Sequence, residues 1–376
     1  MSAGPVSSMP VVWSPDTRRH DPKHEVWVGV PTPGTEVSAR VDAILDAVAG
    51  HPLVEAQPHG AEALHRVHDP ELVAFLASVH DRWLAGEYVE LVGQDRVVPY
   101  FFPTPAMSAG LPLRDAPAVH ALVGRFAYDT MTTVGPGTWP AVAAAADCAL
   151  TAAALVAAGT PAAYALARPP GHHATPAGYG GSCYLNNAAL AAQALRDAGR
   201  DRVAVVDLDA HHGNGTQAIF WERGDVLYGS LHVDPGTGWF PHVLGYADET
   251  GSGGGSGATR NLPLAPGTGD DAWLDAVSAL RDWVSDAGCD ALVVSLGVDA
   301  AAADPESPLE VTEDGYRGAG LLLGGLGLPS VLVQEGGYHL PSLGSLVAAN
   351  LDGHEQGQVS GTSGERSAGS GPSAPA

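Results

Sequence analysis

Asp207, Asp209 and His211 stand two residues apart at the end of the run Val-Ala-Val-Val-Asp-Leu-Asp-Ala-His-His. If that run is a strand, its period of two puts all three on one side. Carboxylates so close, at the end of a buried apolar run, repel each other unless a cation lies between them. A helix-capping aspartate or a backbone-bonded histidine would account for any one of these residues, but not for three together. Asp299 emerges from Ala-Leu-Val-Val-Ser-Leu-Gly-Val in the same way and offers a further ligand. One imidazole and two carboxylates, with a position open to water, suit a catalytic divalent metal such as zinc. Iron or cobalt satisfies the same donors.

His172 and His173 follow Pro-Pro-Gly, a tight loop. Two imidazoles beside a metal offer a general base and a general acid. Each ring needs a partner on its other nitrogen, and Asp207 and Asn214 are candidates. Tyr338, reached through Gly336 and Gly337, could hydrogen-bond a developing oxyanion opposite the metal. An HH dipeptide alone is weak evidence, and a tyrosine at a turn is commonly packing. Their position relative to the other residues gives them weight.

That position depends on the elements carrying them. Short apolar runs at 162–167, 203–208, 226–231, 291–296 and 330–334 read as strands. Helical segments at 139–158, 187–198, 271–287 and 315–326 lie between them or precede them. Continuous apolar strands alternating with helices indicate a parallel sheet buried on both faces, hence a doubly wound α/β domain. The candidate residues then fall just after the strands: His172 and His173, Asp207 to His211, Ser230 to His232, Asp299, and Tyr338. Open parallel sheets bind ligands outside the carboxyl ends of their strands, so this edge is read as an active site.

Composition narrows the class. The 376 residues carry 42 acidic against 18 basic side chains, a formal charge of -24, with Lys23 the only lysine. Such a surface repels phosphate backbones, and no nucleic-acid partner is expected. Three separated cysteines without CxxC spacing fit a reducing compartment. The start shows no secretory pattern, and the apolar run 141–158 is interrupted by Asp147 and Thr151, so it reads as a buried helix. A cytoplasmic protein without a membrane partner is expected. Residues 1–352 read as one domain and 353–376 as a disordered Gly/Ser/Pro-rich tail. The run GSGGGSG at 251–257 reads as a mobile surface loop.

Taken together, RPPGHH (168–173), VDLDAHHGNGTQ (206–217), SLH (230–232), GVDAAAADP (297–305) and QEGGYH (334–339) resemble the zinc-dependent deacetylases of the arginase–deacetylase fold. The similarity runs in the family's order over roughly residues 20 to 350. It implies a single, mostly parallel eight-stranded sheet flanked by helices. It also implies zinc on Asp209, His211 and Asp299, a catalytic pair His172 and His173 oriented by Asp207 and Asn214, and a catalytic Tyr338. A structural potassium ion would take oxygens of Asp207, Asp209, His211, Ser230 and Leu231, while Gly181 and Phe240 would align the substrate. Arginases share the fold, but Gly213 and Ala301 stand where their second metal needs carboxylates. One departure is Ser182, where the family usually places an aromatic channel wall opposite Phe240.

Within the family the chain is most similar to acetylpolyamine amidohydrolases and bacterial class II-like enzymes. The carrying stretches are 128–153, 244–264 and the insertion at about 88–137, which in polyamine enzymes shapes the channel and helps form a dimer. The implied reaction is zinc-dependent hydrolysis of an N-acetyl amide to acetate and free amine. The expected substrate is a small cationic acetylpolyamine, with acetyl-lysine proteins second, and the expected assembly a homodimer. A reading of another class is a non-hydrolytic sensor of acylated ligands.

Overall fold

The computed structural model describes residues 9–86, 93–114 and 116–368. Its strands are β1 (Val11–Trp13), β2 (His24–Trp27), β3 (Val30–Pro33), β4 (Leu53–Glu55), β5 (Ala162–Ala165), β6 (Val203–Asp207), β7 (Val226–Val233), β8 (Thr259–Leu264), β9 (Ala291–Leu296) and β10 (Ser330–Gln334). Eight of them form one sheet in the order β4-β1-β5-β10-β9-β6-β7-β8, with every neighbouring pair parallel. β2 and β3 make a separate antiparallel hairpin.

Period two in the central strands builds both cores. Ala204, Val206, Leu292, Val294 and Leu332 pack on one face, under the helices Ala39–Ala47, Asp270–Asp286, Glu313–Gly324 and the first part of Leu340–Ala368. Val203, Val205, Ala291, Val293, Val331 and Val333 pack on the other, under Thr138–Ala157 and Asn187–Asp197. With both faces covered there is no polar side to alternate with, which explains the unbroken apolar runs. Thr138–Ala157 is long and apolar enough to cross a membrane, yet Ala145, Cys148, Ala149 and Ala152 are buried in this core.

Several local expectations change. β6 stops at Asp207, so Asp209 and His211 sit on the loop beyond it and not along one strand side. β8 contains Asn261 to Leu264, which are not among the apolar runs read as strands. It is an edge strand and so tolerates Pro263, which cannot donate to a ladder. The glycine-rich run 251–257 is tied down: Ser252 N–H donates to Trp221 O, Gly257 N–H donates to Thr250 O, and Gly255 is buried against residues 221–223.

The expected tail at 353–376 is helical through Ala368, and residues 369–376 lie outside the described residues. Gly320 and Gly324 on one helix face Gly353 and Gly357 on the other, and a Cβ at any of the four would collide with the opposite backbone. Glycines four apart share a helix face, so their spacing makes a seam for close backbone approach where their composition suggested disorder. Of the insertion expected at about 88–137, residues 88–92 and 115 lie outside the described residues. The remainder includes helices Pro105–Ser108 and Val119–Phe126.

Candidate metal and hydrolytic centre

The expected residues converge beyond the carboxyl ends of β5, β10, β9, β6 and β7, five neighbours at the middle of the sheet. One donor atom from each of Asp209, His211 and Asp299 lies within 4.8 Å of the others. His211 Nδ1 is 3.2 Å from Asp209 Oδ1 and 3.1 Å from Asp299 Oδ2. Ala210 N–H donates to Asp299 Oδ1 and Gly336 N–H to Asp209 Oδ2, which fixes both carboxylates. Both acids are buried. Burial and the adjacent Asp209 push Asp299 up to about 7. Burial acts on Asp209 too, but His172 and His211 overcome it and hold that carboxyl below the ordinary range. Facing buried acids around one imidazole nitrogen fit a divalent cation, whose charge would offset their repulsion.

Asp207 does not join that group. Its Oδ2 lies 3.1 Å from His172 Nδ1 and accepts from Tyr228 Oη, and it is paired in register with Ser230 across β6 and β7. His173 Nδ1 is 2.8 Å from Asn214 Oδ1. The two rings pack with centroids 4.0 Å apart but meet different surroundings. Burial favours the neutral His172 ring, yet Asp209 and Asp207 prevail and push it up to about 10. Burial, with His172 and His211 nearby, holds His173 well below its ordinary value. One ring is thus set to stay charged and the other to stay neutral.

A cavity of about 760 Å³ opens onto this centre. His173, His211, Gly181, Ser182, Phe240 and Tyr338 line it, whereas His172 lies behind. Phe240 stacks on Tyr128, with centroids 6.5 Å apart, and Tyr128 Oη donates to His173 O. Asp129 accepts from Gly181 N–H, and Thr132 Oγ1 from Ser182 N–H, which sets the wall opposite Phe240. Tyr338 is partly exposed at the cavity edge, and burial raises its phenol well above the ordinary value. It remains a neutral donor. The glycines before it serve close approach: a Cβ on Gly336 would strike Asp209 and Asp299, and Gly337 adopts φ +123°.

Several polar groups escaped the sequence reading. Glu25, on β2, and Glu306 line the same cavity. Burial and then Glu306 push Glu25 up to about 7. Arg40 lies buried beneath Tyr338, its guanidinium carbon 4.9 Å from the ring centroid, and pairs with Glu36 at 2.7 Å. Glu335 accepts from the N–H groups of Gly171 and His172 and so braces the histidine loop. Glu335, Asp304 and Asp129 fall inside stretches quoted above, whereas Glu25, Glu306 and Arg40 have no local signal.

Residues 34–353 match the family model described as the histone deacetylase domain. The chain is 40% identical over 348 residues to the acetylpolyamine amidohydrolase of Mycoplana ramosa, covering 92% of this chain and 99% of that protein. It is 44% identical over 333 residues to the acetylpolyamine amidohydrolase of Burkholderia pseudomallei, covering 88% and 94%. A crystal structure of acetylpolyamine aminohydrolase from Burkholderia pseudomallei superposes with a TM-score of 0.86 at 40% identity, covering 93% of this chain and 99% of that one.

Proposed function

Because the chain belongs to the histone deacetylase family, we propose that it hydrolyses N-acetyl amides to acetate and free amine, with acetylpolyamines as its substrates. The observation that carries the substrate is the cavity itself. His173, His211 and Tyr338 line it together with two carboxylates, Glu25 and Glu306, and no lysine or arginine lines it among the described residues. An acetylated polyamine has an amide at one end and ammonium groups beyond it, which matches that combination of groups. The enzyme reading stands over a non-hydrolytic sensor of acylated ligands.

Asp209, His211 and Asp299 would hold the metal, taken as zinc with iron or cobalt as substitutes, and it would supply a Lewis acid for the carbonyl and acidify the attacking water. His173 takes the water's proton. Its Nδ1 is engaged by Asn214, so Nε2 is its basic atom. His172, charged against Asp207, stays protonated and offsets the negative charge that develops. Tyr338 donates its phenol hydrogen to the oxyanion, and the proton gained by His173 passes to the departing nitrogen. Gly181 and Phe240 flank the scissile end, and Ser182 leaves one side of that passage without an aromatic ring.

Asp207, with oxygens of Asp209, His211, Ser230 and Leu231, would hold a potassium ion. The in-register Asp207 and Ser230 and the full burial of the carboxylate suit such an oxygen-rich site. A homodimer is supported by exposed apolar side chains, Trp27, Val28 and Val30 on the hairpin and Tyr100, Leu111 and Leu113 on the inserted segment. The cytoplasm is the compartment we assign, in keeping with three buried free thiols.

The test is acetate release by zinc-loaded protein from acetylputrescine, acetylspermidine and an acetyl-lysine peptide. Preference for the polyamines is expected. Preference for the peptide would overturn the substrate assignment, and silence on all three with zinc bound would overturn the reaction.

A further inference from the structure

Asp304 lies five residues beyond Asp299, on the turn that also carries Glu306, and is 7% exposed. Its Oδ2 accepts from the N–H groups of Tyr338, at 2.6 Å, and His339, at 3.1 Å. Its Oδ1 accepts from Glu306 N–H at 3.1 Å. One buried carboxylate thus ties the tyrosine loop to the turn whose Glu306 lines the cavity. From the other side, Arg40 donates to the carbonyls of Gly337, at 2.7 Å, and Glu335, at 2.5 Å. The loop 335–339 is therefore gripped by the carbonyls of Glu335 and Gly337 on one side and by the N–H groups of Tyr338 and His339 on the other. Gly336 and Gly337, required for close packing, give it little stiffness of its own.

We infer that Asp304 is a positioning residue for Tyr338, holding the phenol over the metal ligands so that its donor already points where the oxyanion forms. The inference rests on the proposed role of Tyr338 in the hydrolysis. Preorganisation of this kind matters because a donor that must first be ordered loses part of its advantage at the transition state. Hydrogen bonds to a charged acceptor are among the stronger ones, and here two converge on one oxygen at the tyrosine loop.

The test is a double-mutant cycle on the zinc-loaded full chain, read as kcat for acetate release from acetylputrescine. Asp304→Ala should lower kcat roughly tenfold to a hundredfold, the loss expected for one or two charge-assisted hydrogen bonds. In a Tyr338→Phe background the same change should lower kcat less than about twofold, because the hydroxyl it positions is already gone. A carboxylate that merely stabilised the loop would slow both backgrounds alike. Zinc content and thermal unfolding check that each variant is folded. If Asp304→Ala does not fold, Asp304→Asn carries the cycle, since its amide oxygen can still accept at the tyrosine loop. It should show a smaller loss, again confined to the background with Tyr338. Additive losses, or an unchanged kcat when Asp304 is replaced, overturn the inference while leaving the hydrolysis reading intact. Full turnover by Tyr338→Phe alone overturns the inference and the proposed role of Tyr338 together.

Discussion

His173 Nδ1 lies 2.8 Å from the side-chain oxygen of Asn214, an amide, whereas the adjoining His172 meets the Asp207 carboxylate. A neutral amide raises His173 less than a carboxylate would, so burial and the neighbouring His172 and His211 keep it uncharged and available as a base. Asn214→Asp would place a negative charge on that nitrogen and raise the pKa of His173. A base is lost when it protonates, so the acid limb of the kcat/KM profile should move to higher pH. A shift of roughly one to two units is expected from a new opposite charge at this distance. A pH–rate profile for acetylputrescine in both forms checks this, and an unmoved acid limb would remove His173 from the base role.

Tyr338→Phe deletes a donor without altering the ring stacked near Arg40. Turnover should fall by about a hundredfold or more, the scale set by loss of one oxyanion donor. Steady-state kinetics should place the loss mainly in kcat. A rise in KM alone would mean that the phenol binds substrate and does not assist the transition state.

Stripping metal with a chelator should reduce acetate release to background, and one equivalent of zinc or cobalt should restore it. Asp299→Asn should weaken zinc binding by more than the ~10–100-fold typical of losing a partner outside the ligand set. Metal titration by calorimetry measures this. Equal affinity in the variant would place the ion elsewhere.

The acidic cavity lining makes substrate affinity depend on pH. Glu25, pushed up to about 7, gains a proton as pH falls from 8 to 6 and loses its attraction for ammonium. KM for a cationic acetylpolyamine should rise over that interval and flatten in Glu25→Gln. At pH 8, Glu25→Gln and Glu306→Gln should each raise KM roughly fivefold, corresponding to about 1 kcal/mol for a partly screened pair. A neutral N-alkylacetamide serves as the control, because its KM should not respond.

Gly353→Val should destabilise the protein by about 1–3 kcal/mol, the usual cost of forcing side-chain volume into a packed seam. The new side chain would meet the Arg317 backbone on the facing helix. Thermal unfolding gives the answer. An unchanged Tm would mean that the end of the C-terminal helix is undocked in solution.

The core strands were legible because their chemistry is local. In β6, β9 and β10, five or six consecutive residues are buried, and catalytic candidates follow within a few positions. β1 and β4 are three residues long and β8 holds a proline, too little periodicity to recognise. The centre could be listed from its motifs together with its partners, Asp207 for His172 and Asn214 for His173, but its outer lining could not. β6 ends with Asp207 against His172, and the loop beyond it carries Asp209 toward Asp299. Glu25 and Glu306 join one cavity across 281 positions of sequence, a pairing that only the folded chain creates. The glycines of the last helix misled because a composition carries no phase, whereas their spacing of four does.

Carrying the hydrolytic residues on five adjacent central strands has an evolutionary consequence. The shared ladders of β5, β10, β9, β6 and β7 make that part of the molecule a stiff plate, and alteration of one loop is resisted by its neighbours. The outer walls belong to the β2–β3 hairpin and to segments such as 238–242, which stand off the plate. Selection can therefore exchange the amine that is admitted by remodelling a few peripheral positions while the bond-breaking apparatus is inherited unchanged. Clientele and chemistry are separable traits in this architecture.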